Sequence, residues 1–302
     1  MNCSRFIPAL VVMVSVCSLA IPASSWQTQQ RVLLHVRVTD AANNPVRDVP
    51  REAFQVTEDG TPQKIELFMN EEVPLTYGLV IDCSGSMRSQ LQQVVDAGKK
   101  IIDTNKAEDE TFLVRFISSD KIETLQELTS DKQLLLNGLD TLYVEGGQTA
   151  VIDAVYLSAE YLAKARSDAN EVRRRALILV TDGEDRSSYY KKDELSRRLI
   201  STNTQIFTIA LTQEVPKNKV DRAFGLLAQL ATDTGGRTYF ANTPSDIARI
   251  SAEIIRDIRT QYVIGYIPSS SDSPKGFRKV VVSLSANPNQ EKRVAITRVN
   301  VL

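Results

Sequence analysis

The chain has 302 residues, which is long enough for one sizeable hydrophobic core and a smaller additional module. Its hydrophobic fraction of 42% and charged fraction of 24% are typical of a globular protein. A formal net charge of -1 and an aromatic content of 6% argue against the basic, base-stacking surfaces that bind nucleic acid. We therefore expect no nucleic-acid partner.

The first 25 residues have the pattern of a secretory signal peptide. Arg5 precedes an apolar stretch over residues 6–19, and small residues then offer a cleavage site after residue 25. The apolar stretch is shorter than the roughly 20 residues of a transmembrane helix, so we expect no membrane span after cleavage. The alternative is a segment retained as an anchor. Val16 stands where a lipoprotein box has a small residue, which argues against a lipid anchor on Cys17. The prediction is an exported protein that is secreted, periplasmic or associated with the cell envelope.

Histidine and cysteine, two side chains often used in catalysis, are scarce, with 1 His and 3 Cys in the chain. Cys3 and Cys17 fall within the expected signal, so Cys83 has no intramolecular disulfide partner in the mature chain. No histidine is near Cys83 in the sequence, and we predict a small buried side chain rather than a reactive thiol. The sole histidine, His35, falls on the polar face of a predicted strand, where we expect it to be solvated.

Residues 26–72 are predicted to form β structure. In the segment 31–38 apolar side chains alternate with mostly polar ones, as in a strand with one buried face. Segments 54–57 and 64–68 flank an Asp59–Gly60 pair, which favours a hairpin between them.

From residue 73 to residue 260 strands and helices alternate, which predicts an α/β fold with a doubly wound, mainly parallel sheet covered by helices on both faces. If the strand order is 3-2-1-4-5-6, the first and fourth strands of this region are neighbours. The charged third strand is expected at an edge. The predicted strands are 75–82, 111–118, 121–128, 176–181, 205–211 and 238–240, and the predicted helices are 88–104, 131–139, 150–165, 192–201, 220–232 and 245–259.

The β pattern returns in residues 261–302, with strands predicted at 261–267, 279–284 and 293–299. Neither terminal segment has enough strands for a core of its own. We therefore expect residues 26–72 and 261–302 to form one smaller, discontinuous β domain beside the central domain of residues 73–260.

Oxygen-bearing side chains follow three separate elements of the central region. Asp82, Ser84 and Ser86 follow its first strand, Thr149 follows a Gly-Gly turn at a helix start, and Asp182 follows the fourth strand. In doubly wound sheets ligands bind beyond the carboxyl ends of the strands, where the strand order reverses. Each piece alone also fits a helix cap or a turn. Their joint occurrence favours a site for a hard divalent cation such as Mg²⁺, although the same oxygens serve Mn²⁺ or Ca²⁺.

These five residues match all five positions of a metal-ion-dependent adhesion site, and residues 73–259 resemble the von Willebrand factor type A domain, also called the integrin I-like domain. The resemblance implies that the three hydroxyls coordinate the metal directly and the two carboxylates act largely through water. It also implies that partner binding can be coupled to movement of the last helix, 245–259.

The flanking β segments resemble those of exported bacterial proteins of an acidobacterial type that carry this domain. The similar motifs are residues 54–60, Phe-Gln-Val-Thr-Glu-Asp-Gly, and residues 262–268, Tyr-Val-Ile-Gly-Tyr-Ile-Pro.

The predicted function is metal-dependent binding of a protein partner. Neutral hydroxyl ligands leave the charge of a cation only partly compensated, so that an Asp or Glu of another protein is attracted to it. The alternatives are a structural envelope protein with a vestigial metal site and a metal-dependent hydrolase. The sequence has no Walker loop, no Gly-x-Gly-x-x-Gly fingerprint and no Gly-x-Ser-x-Gly elbow, so we predict that the protein is not an enzyme.

Overall fold

The computed structural model describes residues 31–165, 172–183, 185–213, 215–269, 276–285 and 292–302. The predicted signal peptide lies outside the described residues. Among the residues that are described, no helix combines the length and the apolar character needed to cross a membrane.

The strands and helices follow one another largely as predicted. In chain order they are β1 Val32–Thr39, β2 Phe54–Glu58, β3 Thr61–Gln63, β4 Ile65–Met69, β5 Leu75–Asp82, α1 Leu91–Asp103, β6 Glu110–Phe116, β7 Ile122–Thr129, α2 Lys132–Asp140, α3 Val151–Lys164, β8 Arg174–Thr181, α4 Lys192–Ser201, β9 Thr204–Leu211, α5 Val220–Asp233, β10 Arg237–Ala241, α6 Pro244–Arg259, β11 Tyr262–Tyr266, β12 Arg278–Leu284, β13 Val294–Ile296 and β14 Asn300–Val301.

The central sheet of the described chain has the order β10-β9-β8-β5-β6-β7. Its strands are parallel except for β7, which pairs antiparallel with β6 at the edge. This arrangement confirms the predicted order, with β5 and β8 as neighbours, and the charged edge strand. All eight residues of β5 are buried, because helices cover both faces of the sheet.

Two apolar clusters join the helices to the two faces of this sheet. Helices α1, α2 and α6 pack on one face through side chains that include Val94, Ile101, Leu135 and Ile254. Helices α3, α4 and α5 pack on the other face through side chains that include Val155, Leu195 and Leu227. The doubly wound α/β fold is therefore confirmed.

The terminal segments form two further sheets, with the orders β13-β1-β11-β4 and β14-β12-β2-β3. Both sheets contain strands from each end of the chain and contribute to a common apolar core, which includes Leu34, Val56, Tyr262 and Val282. The association of the two ends is as expected. The domain boundaries at residues 72/73 and 260/261 stay a prediction.

The predicted hairpin is wrong in its second strand. The turn lies at Asp59 and Gly60, which have φ angles of 47° and 81°, and it joins β2 to the short strand β3. Strand β4 instead pairs with β11 in the other sheet. The chain changes sheets at Lys64, between β3 and β4, and no periodicity in the sequence marks that change.

The single closing strand predicted over residues 293–299 is also wrong, because the chain changes sheets there again. Strand β13 pairs with β1, whereas β14 pairs with β12. Between them Arg298 is buried, and its Nη1 donates to the carbonyl oxygen of Ile200 at 3.3 Å. This contact draws the segment onto the carboxyl end of α4, where helix carbonyls carry partial negative charge.

The predictions for the sole histidine, His35, and for Cys83 have opposite outcomes. His35 was expected in solvent but is only 4% exposed. Burial, followed by the positive charges of Arg174 and Arg298, lowers the pKa of His35 to about 3. Cys83 is fully buried, as predicted, and burial raises the pKa of its thiol to about 12.

Candidate metal centre

The two predicted carboxylates lie at the same edge of the central sheet. Asp82 is the last residue of β5, and Asp182 follows the last residue of β8. The strands are adjacent and parallel, with Ile81 opposite Val180. Their carboxyl ends therefore open into one crevice, at the point where the strand order reverses.

The turn after β5 brings both predicted serines towards Asp182. The backbone N–H of Ser84 donates to Asp82 Oδ1 at 2.9 Å, which bends the chain back over the strand end. The Oγ atoms of Ser84 and Ser86 are 3.3 Å apart, and Ser86 Oγ donates to Asp182 Oδ1 at 3.0 Å. Ser86 is exposed, whereas Ser84 is buried, so the pair runs from the interior to the surface.

Asp82 forms the floor of the crevice. It is fully buried, and its Oδ2 accepts a hydrogen bond of 2.6 Å from Thr181 Oγ1. Burial raises the pKa of the Asp82 carboxyl, while the hydrogen bonds from Thr181 and Ser84 act to lower it. Thr181 in turn accepts from the N–H of Gly183 at 3.2 Å. Thr181 is not among the residues predicted for the site, and its signal in the sequence is a hydroxyl directly before Asp182.

Thr149 reaches the crevice from the loop before α3. Its carbonyl oxygen accepts from the N–H of Arg186 at 2.8 Å, which attaches this loop to the segment after β8. A Cβ atom on Gly183 would lie 3.9 Å from Thr149 Oγ1, so the hydroxyl faces the turn that carries Asp182. Gly147 permits a close approach to the residue after β6, because a Cβ there would lie 2.4 Å from the Ile117 side chain. The structure thus brings all five predicted residues to one place.

Two further acidic residues hold the surrounding loops and were not singled out in the sequence. The buried carboxylate of Asp153 accepts from the backbone N–H groups of Tyr189 and Tyr190, each at 2.9 Å. Asp185 Oδ1 accepts from the N–H of Ile152 at 3.0 Å. These bonds fix the loop after β8 to the first turn of α3. The available signal was an aspartate on the otherwise apolar face of that helix.

The crevice opens into a cleft of about 700 Å³. Ser84, Ser86, Thr149 and Asp182 lie in its wall, together with side chains from the start of α5. A side chain from another molecule therefore has room to reach the predicted metal ligands.

The chemistry of the donor set fits a hard divalent cation. The five side chains present oxygen atoms alone, as three hydroxyls and two carboxylates, and Mg²⁺, Mn²⁺ and Ca²⁺ prefer such ligands. Within the described residues no three His, Cys, Asp or Glu side chains gather into a metal cluster, so a softer Cys or His site is not present there. Asp82 is fully buried, and burial of a negative charge is costly. A cation in the crevice would compensate the charge of this carboxylate.

The fold is a doubly wound α/β domain, and the crevice lies at its topological switch point. The sequence model of the von Willebrand factor type A domain matches residues 78–253, which is more than half of the chain. The chain therefore belongs to the von Willebrand factor type A domain family, whose members are generally protein-interaction modules.

Two solved structures with TM-scores of 0.50 show the same fold at low sequence identity. The von Willebrand factor type A protein from Catenulispora acidiphila has a TM-score of 0.50 and 14% identity, over 82% of this chain and 73% of that chain. Proximal thread matrix protein 1 from the mussel byssus, in a structure with a zinc-occupied MIDAS motif, has a TM-score of 0.50 and 16% identity, over 67% of this chain and 49% of that chain. The conserved hypothetical protein BatB from Bacteroides thetaiotaomicron has a TM-score of 0.47 and 19% identity, over 61% of this chain and 98% of that chain. A search of the curated proteins found no match.

Proposed function

We propose that this chain is an exported, metal-dependent protein-binding module. A divalent cation is held by Ser84, Ser86 and Thr149 directly and by Asp82 and Asp182 largely through water. The partner is a protein that presents an Asp or Glu side chain to this site.

The observation that carries the proposal is the convergence of five oxygen-bearing side chains from three separate segments of the chain, four of them in the wall of an open cleft and Asp82 buried behind them. The 3.0 Å bond between Ser86 and Asp182 joins residues that are 96 positions apart in the sequence. Helix caps explain each segment alone but give no reason for the three to meet.

Each residue has a distinct part in the proposed site. Ser86 is exposed and lies nearest to an incoming ligand, whereas Ser84 and Thr149 are buried. Asp82 supplies negative charge from behind, and Thr181 fixes the orientation of its carboxylate at 2.6 Å. A bound divalent cation supplies an open coordination position for the carboxylate of a partner. Binding thus needs no proton transfer by the protein.

The structural relatives support a divalent metal without selecting one. The mussel byssus protein carries zinc in its MIDAS motif. For this chain the all-oxygen donor set favours Mg²⁺, with Mn²⁺ and Ca²⁺ as the other candidates.

Metal binding is tested by isothermal titration calorimetry on the full chain with MgCl₂ and MnCl₂. Thr149→Val removes one hydroxyl and keeps the side-chain shape, whereas Thr149→Ser keeps the hydroxyl and serves as the control. We expect saturable binding in the wild type and in Thr149→Ser, and loss of binding in Thr149→Val. A metal concentration of about 100 times Kd should stabilise the fold by roughly 2.7 kcal/mol, and EDTA should reverse this.

Absence of binding at roughly millimolar metal would overturn the proposal in favour of a vestigial site, since Kd values in that range are the weakest of functional Ca²⁺ modules.

Partner binding is tested by a pull-down from the native envelope and medium, with and without EDTA. Export is tested by sequencing the amino terminus of the protein from its native source, where we expect Trp26 as the first residue.

A further inference from the structure

Three basic side chains share the cleft with the predicted metal ligands. Arg186, Lys219 and Arg222 line the same 700 Å³ space as Ser84, Ser86, Thr149 and Asp182. We call these three residues the basic rim. All three residues are exposed.

The basic rim comes from two segments that line the cleft. Arg186 lies in the loop after β8, and its backbone N–H bonds to the carbonyl of Thr149 at 2.8 Å. Lys219 ends a short 3₁₀ turn, and its N–H donates to the Pro216 carbonyl at 2.8 Å. Arg222 follows in the first turn of α5. The first bond attaches Arg186 to the loop that carries Thr149, and the second closes the local turn of Lys219.

The charge of the cleft is predominantly positive among the residues described. Asp182 is the one acidic residue of its described lining, because Asp82 is fully buried behind it. Glu184 and Glu214 lie outside the described residues. A bound divalent cation would add two further positive charges beside Asp182. Such a cleft with low-dielectric walls attracts anions over several ångströms.

A single carboxylate on the metal would leave most of this cleft unused. Clefts that bury most of the surface of a drug-sized ligand have volumes of roughly 300–1,000 Å³, and the 700 Å³ here is in that range. The space therefore accommodates a short peptide segment, with further acidic groups within reach of Arg186 and Lys219.

We propose that the partner binds through an acidic segment, with one carboxylate on the metal and at least one more on Arg186 and Lys219 of the basic rim. This inference rests on the proposed metal-dependent function. The basic rim thus selects among carboxylate-bearing partners, and a protein with an isolated Asp or Glu binds more weakly.

The test uses two blocked, fluorescently labelled peptides and measures their Kd by fluorescence anisotropy in the presence of MgCl₂. One peptide has a single aspartate among glycines and serines, and the other adds a glutamate on each side of the aspartate. The full chain is compared with the double variant Arg186→Gln/Lys219→Gln. The matched control is Lys217→Gln/Arg256→Gln, because both residues are exposed, carry the same charge and do not belong to the described lining of the cleft.

We expect the wild type and the control to bind the triacidic peptide about tenfold more tightly than the single-aspartate peptide. The double variant should bind both peptides alike, with an unchanged Kd for Mg²⁺ in calorimetry. The wild-type preference should decrease when salt rises from about 0.05 M to about 0.5 M, because exposed charges are screened.

Equal loss of preference in the control variant, or full preference in Arg186→Gln/Lys219→Gln, would overturn the basic-rim inference while Mg²⁺ binding still supported the metal site. Absence of Mg²⁺ binding to the wild type would instead overturn the proposed function, and the inference with it. Heparin serves as a second probe: if it binds the basic rim without metal and more tightly than the triacidic peptide, the ligand is a sulfated polysaccharide and the acidic-peptide inference is wrong.

Discussion

Arg37 Nη1 and Asp257 Oδ2 are 2.6 Å apart in an ion pair whose side chains are only 3% and 1% exposed. Arg37 lies on β1 of the terminal sheets, and Asp257 lies in the last turn of α6. Asp257 Oδ2 also accepts from the Tyr239 hydroxyl at 2.5 Å and is 3.7 Å from Arg237 Nη1. One buried carboxylate thus connects the terminal sheets, the last helix and strand β10.

This ion pair bears on the helix movement that the family resemblance implies. Sliding α6 along the sheet would separate Asp257 from Arg37 and leave two buried charges without partners, which costs several kcal/mol. Arg259, at the end of the same helix, also forms a 2.6 Å ion pair with Asp109, which directly precedes β6 of the central sheet. We infer that movement of α6 requires movement of the terminal sheets with it.

Replacing Arg37 with Met should destabilise the fold by about 3–5 kcal/mol, because the Asp257 charge then stays buried without its main partner. Urea denaturation followed by circular dichroism measures the change. The exposed Arg249, which pairs with Asp246 and Glu253 on the surface of α6, provides the control. Arg249→Met should cost less than about 1 kcal/mol.

The double variant Arg37→Met/Asp257→Leu removes both charges and should be more stable than Arg37→Met alone, since no unpaired ion remains. A cost of Arg37→Met as small as that of Arg249→Met would show that the buried pair does not hold the helix.

The burial of His35 predicts a loss of stability in acid. Its pKa is 6.5 in the unfolded chain but about 3 in the folded protein. Between these values the unfolded state binds the proton and the folded state does not, so stability is lost as the pH falls from about 7 towards 3. From pH 7 to pH 5 this contribution amounts to about 2 kcal/mol.

His35→Gln removes the pH-dependent contribution of histidine to stability, because His35 is the sole histidine of the chain. The free energy of unfolding is measured at both pH values for the wild type and the variant. The wild type should lose about 2 kcal/mol more than His35→Gln on acidification. Equal losses would mean that His35 takes up a proton in the folded protein, and that it is accessible to solvent.

Thr181 is expected to act as a positioning residue for the proposed metal site, through its 2.6 Å bond to Asp82. Thr181→Val keeps the shape but removes that bond, and should weaken Mn²⁺ binding about tenfold in calorimetry. Thr181→Ser retains the hydroxyl and should bind as the wild type does.

Loss of the hydrogen bond also costs about 1–3 kcal/mol of stability. The variant is therefore titrated with metal at a temperature well below its thermal unfolding midpoint, so that it is folded during the measurement. Unchanged Mn²⁺ affinity in a destabilised Thr181→Val would assign Thr181 a structural role alone.

Local patterns in the sequence predicted the central sheet well, and the reason is physical. A strand buried on both faces, such as β5, must be apolar along its length, and an amphipathic helix repeats its apolar side chains on one face. Parallel strands joined by helices then restrict the topology, so that Asp82 and Asp182 were expected at one edge. The five proposed ligands could be predicted from the sequence for the same reason, since they lie at or shortly after a strand end or a glycine turn.

The terminal segments show where local pattern is insufficient. Strands β3 and β4 are adjacent in the sequence but belong to different sheets, and so do β13 and β14. Alternation reports that a strand has one buried face, but it does not report which sheet supplies the partner. The prediction that His35 is solvated was wrong for a related reason. The face of β1 that is polar in the sequence packs near Arg174 and Arg298 and does not face water.

The sequence by itself therefore determined the order of elements, the parallel sheet and the set of oxygen-bearing residues, because these follow from periodicity and from strand ends. Tertiary structure alone decided which distant groups meet. Arg186 and Lys219 became neighbours in one cleft, and Arg37 met Asp257, because pairing across long loops depends on the packing of the whole chain.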